Sequence, residues 1–180
     1  IKKSNIYINK LNKLLKKKKK NIMDNLIIKL KENLTSRKSL IKNTTCDYSI
    51  FEKNCYNQEY TELLENFINH LEETYNLIGL DVYKYEKSFN YITKEEYDKK
   101  VEEDKYYPIE KDSIVFTEEL YEEFKIVYCK FLIKRCNEDI LNSFSGSIST
   151  SYFYNAVERT RIKGKLDFIG LLNDIIAKFI

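Results

Sequence analysis

Proline and glycine are nearly missing from this 180-residue chain, which has one Pro and four Gly. A sandwich or barrel needs turn residues roughly every 8–12 positions, so an all-β architecture lacks its punctuation. Collagen-like and linker-like chains are excluded by the same count. A single His (His70) removes most Ser–His and Cys–His chemistry, which requires a base beside the nucleophile. With that His and four Cys, no Cys/His zinc set appears at usual spacings. Eight residues separate Cys46 from Cys55 and six separate Cys129 from Cys136, so there is no CxxC. GxxxxGKS/T, GxGxxG, DxDxDG and HExxH are also absent, leaving P-loop, Rossmann, EF-hand and zincin readings without support. No run approaches the ~18 apolar residues of a membrane span, and no signal-peptide core is visible near the start.

What the chain does have is apolar material and lysine. Hydrophobic residues make up 43% and aromatics 14%, more than disordered chains carry. Only four of the 31 cations are Arg, at 37, 135, 159 and 161. Abundant Lys, Ile, Asn and Tyr are the products of AT-rich codons, which weakens lysine runs as functional signals. Residues 1–45 hold fourteen Lys/Arg and two Asp/Glu, a balance of +12. The total is +3, so the remainder carries −9. A basic arm on an acidic body meets polyanions or folds back on its own domain.

Residues 1–22 use only six residue types, and Met23 and Asp24 open the ordinary mixed composition. We expect residues 1–22 to be a low-complexity lysine-rich arm, upstream of a natural start at Met23, and residues 23–180 to form a single helical domain. A long amphipathic helix through Ile8, Leu11, Leu15, Ile22 and Leu26 is the competing expectation.

Helical periodicity recurs downstream. Ile22, Leu26, Leu30 and Leu34 share one face of a short helix, with residues 35–49 as a connection. Leu63, Phe67, Leu71 and Tyr75 mark a second helix, with Gly79 as its left-handed stop. At 82–92, Tyr83, Tyr85, Phe89 and Tyr91 alternate with polar residues, which predicts a strand with an aromatic core side. Thr93 and Glu96 form a capping box for a charged helix that offers Tyr97 and Val101 for burial and ends before Pro108. SIVF at 113–116 suits a short strand. Thr117 then caps the strongest helix, with an apolar stripe through Leu120, Phe124, Val127, Tyr128, Phe131 and Phe144. A helix from Tyr152 to Arg161, a turn at Lys163–Lys165, and a last helix burying Phe168, Leu172 and Ile175 complete the reading. The fold class expected is mainly α, a compact domain of five or six helices with a small β element near 82–92 and 113–116; α+β is the alternative.

Candidate chemistry is sparse. Cys129 and Cys136 fall on one helical face and read as core residues, whereas Cys46 and Cys55 flank an acidic aromatic loop and read as exposed. The many adjacent carboxylates read as solvated helix faces rather than acid/base pairs. Arg159, Arg161, Lys163 and Lys165 place four cations within seven residues, beside the hydroxyls of SGSISTS, and form a candidate polyanion site; guanidinium groups suit phosphate oxygens. The expectation is a non-catalytic intracellular protein-interaction or scaffold module, cytoplasmic or nuclear, with reduced thiols and no cofactor or metal. Its surfaces are Leu120–Phe144 and Phe168–Ile180. The alternative is nucleic-acid or anionic-lipid binding through the basic arm and Arg159–Lys165. Acceptor triplets at Asn33 and Asn43, with four Cys, leave secretion open.

Overall fold

A computed structural model describes residues 25–41, 48–86, 88–102, 109, 112–145 and 152–178. In chain order these form α1 (Asn25–Lys38), α2 (Tyr48–Tyr75), β1 (Asp81–Lys84), β2 (Tyr91–Thr93), α3 (Lys94–Glu102), β3 (Ile114–Val115), α4 (Glu118–Ser145) and α5 (Tyr152–Ala177). The protein is mainly α with a small antiparallel sheet.

Helix α1 buries Ile27 and Leu30 against α2 and crosses it through Lys31–Glu72 (2.6 Å) and Lys38–Glu65 (2.8 Å). These contacts pair low numbers with high, so α1 lies antiparallel along α2. Helix α5 runs the other way: Lys165 meets Glu59 at 3.6 Å, and Phe168 stacks edge-on against Tyr60 and Phe67. Helix α4 packs on α5 and reaches α2 through Tyr128 against Phe67. One core joins Leu64, Phe67, Leu71, Tyr121, Phe168 and Leu172. Each such aliphatic or aromatic side chain taken from water contributes about 1.5–3 kcal/mol.

Three helices differ from the sequence reading. Helix α1 runs on to Lys38, into the stretch read as a connection. Helix α2 begins at Tyr48, at the end of that stretch, and it carries Cys55 into the interior. The polar run that reads as a loop has its own buried members, Cys55 and Asn57, at helical spacing from Tyr60 and Thr61. Helix α5 is continuous, and the expected turn at Lys163–Lys165 does not form. Gly164 explains why. A Cβ there would lie 3.0 Å from the Tyr56 carbonyl oxygen and 3.2 Å from Glu59 Cβ. The glycine therefore brings two backbones together; it does not break a helix.

The sheet has the order β2-β1-β3, with Val82 opposite Thr93 and Ile114, and Tyr83 opposite Ile92. What reads as one strand is a hairpin. Gly79, at φ 82°, turns the chain out of α2, and its N–H donates to the Phe116 carbonyl at 2.7 Å. Val82 belongs to the main core, while Tyr83 stacks on Tyr97 of α3 at 3.9 Å. The aromatic side expected to face the core therefore divides: Phe89 and Tyr91 pack against it, whereas Tyr83 serves α3. The capping box forms as read: Thr93 N–H donates to Glu96 Oε2 at 3.0 Å and Glu96 N–H to Thr93 Oγ1 at 3.3 Å. Thr117 Oγ1 accepts from Leu120 N–H at 3.2 Å, starting α4. Tyr97 is half-buried, whereas Val101 is exposed.

The two glycines of α5 predict opposite outcomes in urea unfolding. Gly170 has no atom within 4 Å of a built Cβ, so Gly170→Ala raises stability by about 0.5–1 kcal/mol through helix propensity. Gly164→Leu forces α5 away from α2 and lowers stability by about 1–3 kcal/mol.

Candidate functional site

Helix α4 presents one side to α2 and α5 and another to solvent. Tyr121, Phe124, Tyr128, Cys129 and Cys136 face inward and are buried. The apolar stripe singled out as a candidate surface is only partly covered. Val127 is 46% exposed and Phe131 38%; toward the C-terminal end, Leu141 is 66% and Phe144 69% exposed. The stripe of α5 differs, since Phe168, Leu172 and Ile175 are buried. Of the two surfaces singled out in the sequence, α4 retains the open one among the described residues.

The hairpin shapes that opening. Phe89, at its turn, packs on Phe124 (5.9 Å), Tyr128 (5.6 Å) and Phe131 (5.1 Å). It leaves a groove of about 350 Å³ whose walls include Phe89, Tyr91, Leu120, Phe124 and Val127, with Lys84 and Glu123 at polar positions. Periodicity gave no sign that Phe89 would support α4, because the partner lies over 30 residues away in sequence.

Charge is ordered along the same face. Glu119 and Glu123 lie toward the N-terminal end; Lys130 and Lys134 lie about two to four turns further on, and all four are exposed. Lys134 approaches Glu138 at 3.8 Å, and the Arg135 guanidinium lies 5.8 Å from the Phe131 ring centroid. Glu119 is held below the usual carboxylate range by hydrogen bonds from its own backbone N–H and the Thr117 hydroxyl.

The expected polyanion cluster does not converge. Four-residue steps put Arg159 with Lys163 and Arg161 with Lys165, and two-residue steps put these pairs roughly 160° apart around α5. Arg159, Arg161 and Lys163 are exposed, whereas Lys165 is part-buried against Glu59. Residues 146–151 of the SGSISTS segment, the lysine run at 16–20, Cys46 and Pro108 lie outside the described residues.

The remaining polar groups are engaged in packing. His70 is half-buried, with its ring 4.6 Å from Tyr128 and Nδ1 3.7 Å from Glu73 Oε2. Lys125 is 3% exposed, with Nζ 2.8 Å from Glu122 Oε1 and 4.8 Å from the Tyr121 ring centroid. Sequence reading missed this lysine, which stands within an apolar face. The Tyr56 hydroxyl donates to Asp167, and Arg37 lies over the Tyr60 ring at 5.0 Å. Asn57 is buried, and its Oδ1 has no hydrogen-bond partner among the described residues. Cys55, Cys129 and Cys136 are free and buried, so the expected exposure of Cys55 is corrected. Burial pushes the Cys129 thiol up to about 12, outweighing the nearby Lys125 charge, and raises Cys136 and Cys55 as well. Thiols held protonated are poor nucleophiles and poor metal ligands. Among the described residues no three His, Cys, Asp or Glu side chains gather to hold a metal ion, and no helix is long and apolar enough to cross a membrane.

Comparison with protein-family models, curated proteins and solved structures finds no match to this chain.

The thiol burial predicts a pH effect. Above the usual thiol range the unfolded chain ionises Cys129 while the folded chain does not until about pH 12. The unfolded state then holds fewer protons, so stability falls as pH rises across that window. The decline is shallower in Cys129→Ala than in the parent, as chemical denaturation at successive pH values measures.

Proposed function

We propose that this chain is a non-catalytic protein-interaction module that docks a helical protein partner on the outer face of α4, beside the hairpin. The observation that carries the reading is the exposure of Val127 and Phe131 next to the Phe89 groove. An aromatic and a branched side chain left in water beside a concave apolar wall gain by being covered. Ordered charges at 119–134 give such a partner a direction. The free, buried thiols support action in a reducing compartment of the cell. Nucleic-acid or anionic-lipid binding is less well supported, because Arg159 and Lys163 share a face of α5 without Arg161 and Lys165. Two convergent cations give a weak, steeply salt-dependent hold on phosphates.

A photo-crosslinking side chain at position 127 tests the reading. In nuclease-treated native lysate it yields discrete protein adducts, and Phe131→Glu in the same chain removes them. The same probe at Leu166, exposed on α5, yields none. Adducts lost with nuclease, or equal labelling from both positions, overturn the proposal.

A further inference from the structure

We infer that the partner on α4 is a second copy of this chain, paired antiparallel across a twofold axis that passes beside Val127. This rests on the interaction reading above and names its occupant. The order of side chains along one exposed face of α4 supports it. Glu119, Glu123, Val127, Lys130 and Lys134 follow at spacings of three and four, so they form one strip along α4. Within 119–134 the acidic members precede Val127 and the basic members follow it; Glu138, the next position of the strip, lies beyond this span and approaches Lys134 at 3.8 Å.

Turning such a strip end over end places each sign against its opposite. In an antiparallel pair whose facing residue numbers sum to 253, Glu119 meets the second copy's Lys134, and Glu123 meets its Lys130. The twofold repeats both pairs, giving four charge contacts from two kinds. A parallel pair in register would set Glu against Glu and Lys against Lys, which the charge order opposes.

The apolar flank obeys the same register. Phe131 falls between Leu120 and Phe124 of the second copy, whose numbers bracket the same sum. Those two residues wall the groove that Phe89 and Val127 complete. Each copy's part-exposed Phe131 is therefore the knob and each copy's groove the hole, as in helix pairs that interlock side chains. One surface supplies both, as twofold interfaces require.

The strip is one helix wide and about 24 Å long between Glu119 and Lys134. A contact of that width falls short of the ~800 Å² per partner typical of specific, stable interfaces. Association is consequently concentration-dependent.

The test uses the full chain in sedimentation equilibrium, over a concentration series up to about 0.1 mM. The parent chain moves from monomer to dimer. One variant, Glu119→Lys with Glu123→Lys, makes the strip wholly basic; a second, Lys130→Glu with Lys134→Glu, makes it wholly acidic. Each alone loses self-association by about tenfold or more, since like charges face across the axis. Mixed at equal concentration, the two restore a one-to-one dimer. Val127→Cys, in a Cys46→Ser background, oxidises to a covalent dimer, whereas Lys163→Cys does not.

A parent monomeric throughout the series overturns the self-pairing. If crosslinks from position 127 then reach another protein, the interaction reading survives without it; if they reach none, both fail. A dimer indifferent to both charge variants, and not trapped by the cysteine at 127, overturns the α4 pairing by placing the contact elsewhere.

Discussion

Everything in this structure hangs on how closely α5 approaches α2. At Gly164 the two backbones meet with no side chain between them, so Phe168 and Leu172 of α5 reach Tyr60 and Phe67 of α2. Helix α5 is thereby set deep in the bundle, and α4 packs against both α5 and α2. The face of α4 left over is the one that points outward. A larger residue at 164 would not merely lose local packing; it would shift the platform on which the candidate interface is built. The exposed face of α4 is thus a by-product of which helix sides the core uses.

Apart from Asn57 Oδ1, several polar groups in and around that core find partners nearby. Lys125 has Glu122 one helical turn away and the Tyr121 ring beneath its ammonium. Tyr56 gives its hydroxyl to Asp167, and Glu59 faces Lys165, which ties α5 to α2 at the level of the glycine. The Tyr56–Asp167 and Glu59–Lys165 pairs cross between helices and favour one register of α5 on α2 over its neighbours, whereas Lys125–Glu122 lies within α4. His70 plays a comparable part between Glu73 and the Tyr128 ring. None of these side chains opens into the groove at α4.

Much of this architecture was readable from residue order, because the signals are local. Thr93 with Glu96 and Thr117 with the N–H of Leu120 are caps whose partners lie three residues away. Gly79 takes the left-handed conformation its position suggested. What was not readable depends on distant partners. Gly164 looks like a breaker until Tyr56 and Glu59 are seen against it. Tyr83 looks like a core residue until Tyr97 is found on it. Val127 and Phe131 carry the same apolar signature as Phe124 and Tyr128, and only the placement of α5 and the hairpin decides which are covered. The four cations at 159–165 appeared as a cluster in the sequence because a turn was assumed, and helical geometry divides them.

Helix α3 stands apart from the rest. None of its residues is buried, and it is held to the sheet by its cap, by the Tyr83–Tyr97 stack and by Lys100 donating to the Tyr85 hydroxyl at 2.6 Å. A segment fastened by so little apolar area detaches without disturbing Leu64, Phe67 or Leu71. Its amide protons therefore exchange with solvent through a local opening far below the free energy of global unfolding. The nine residues of α3 are thus only loosely coupled to the core of the described fold.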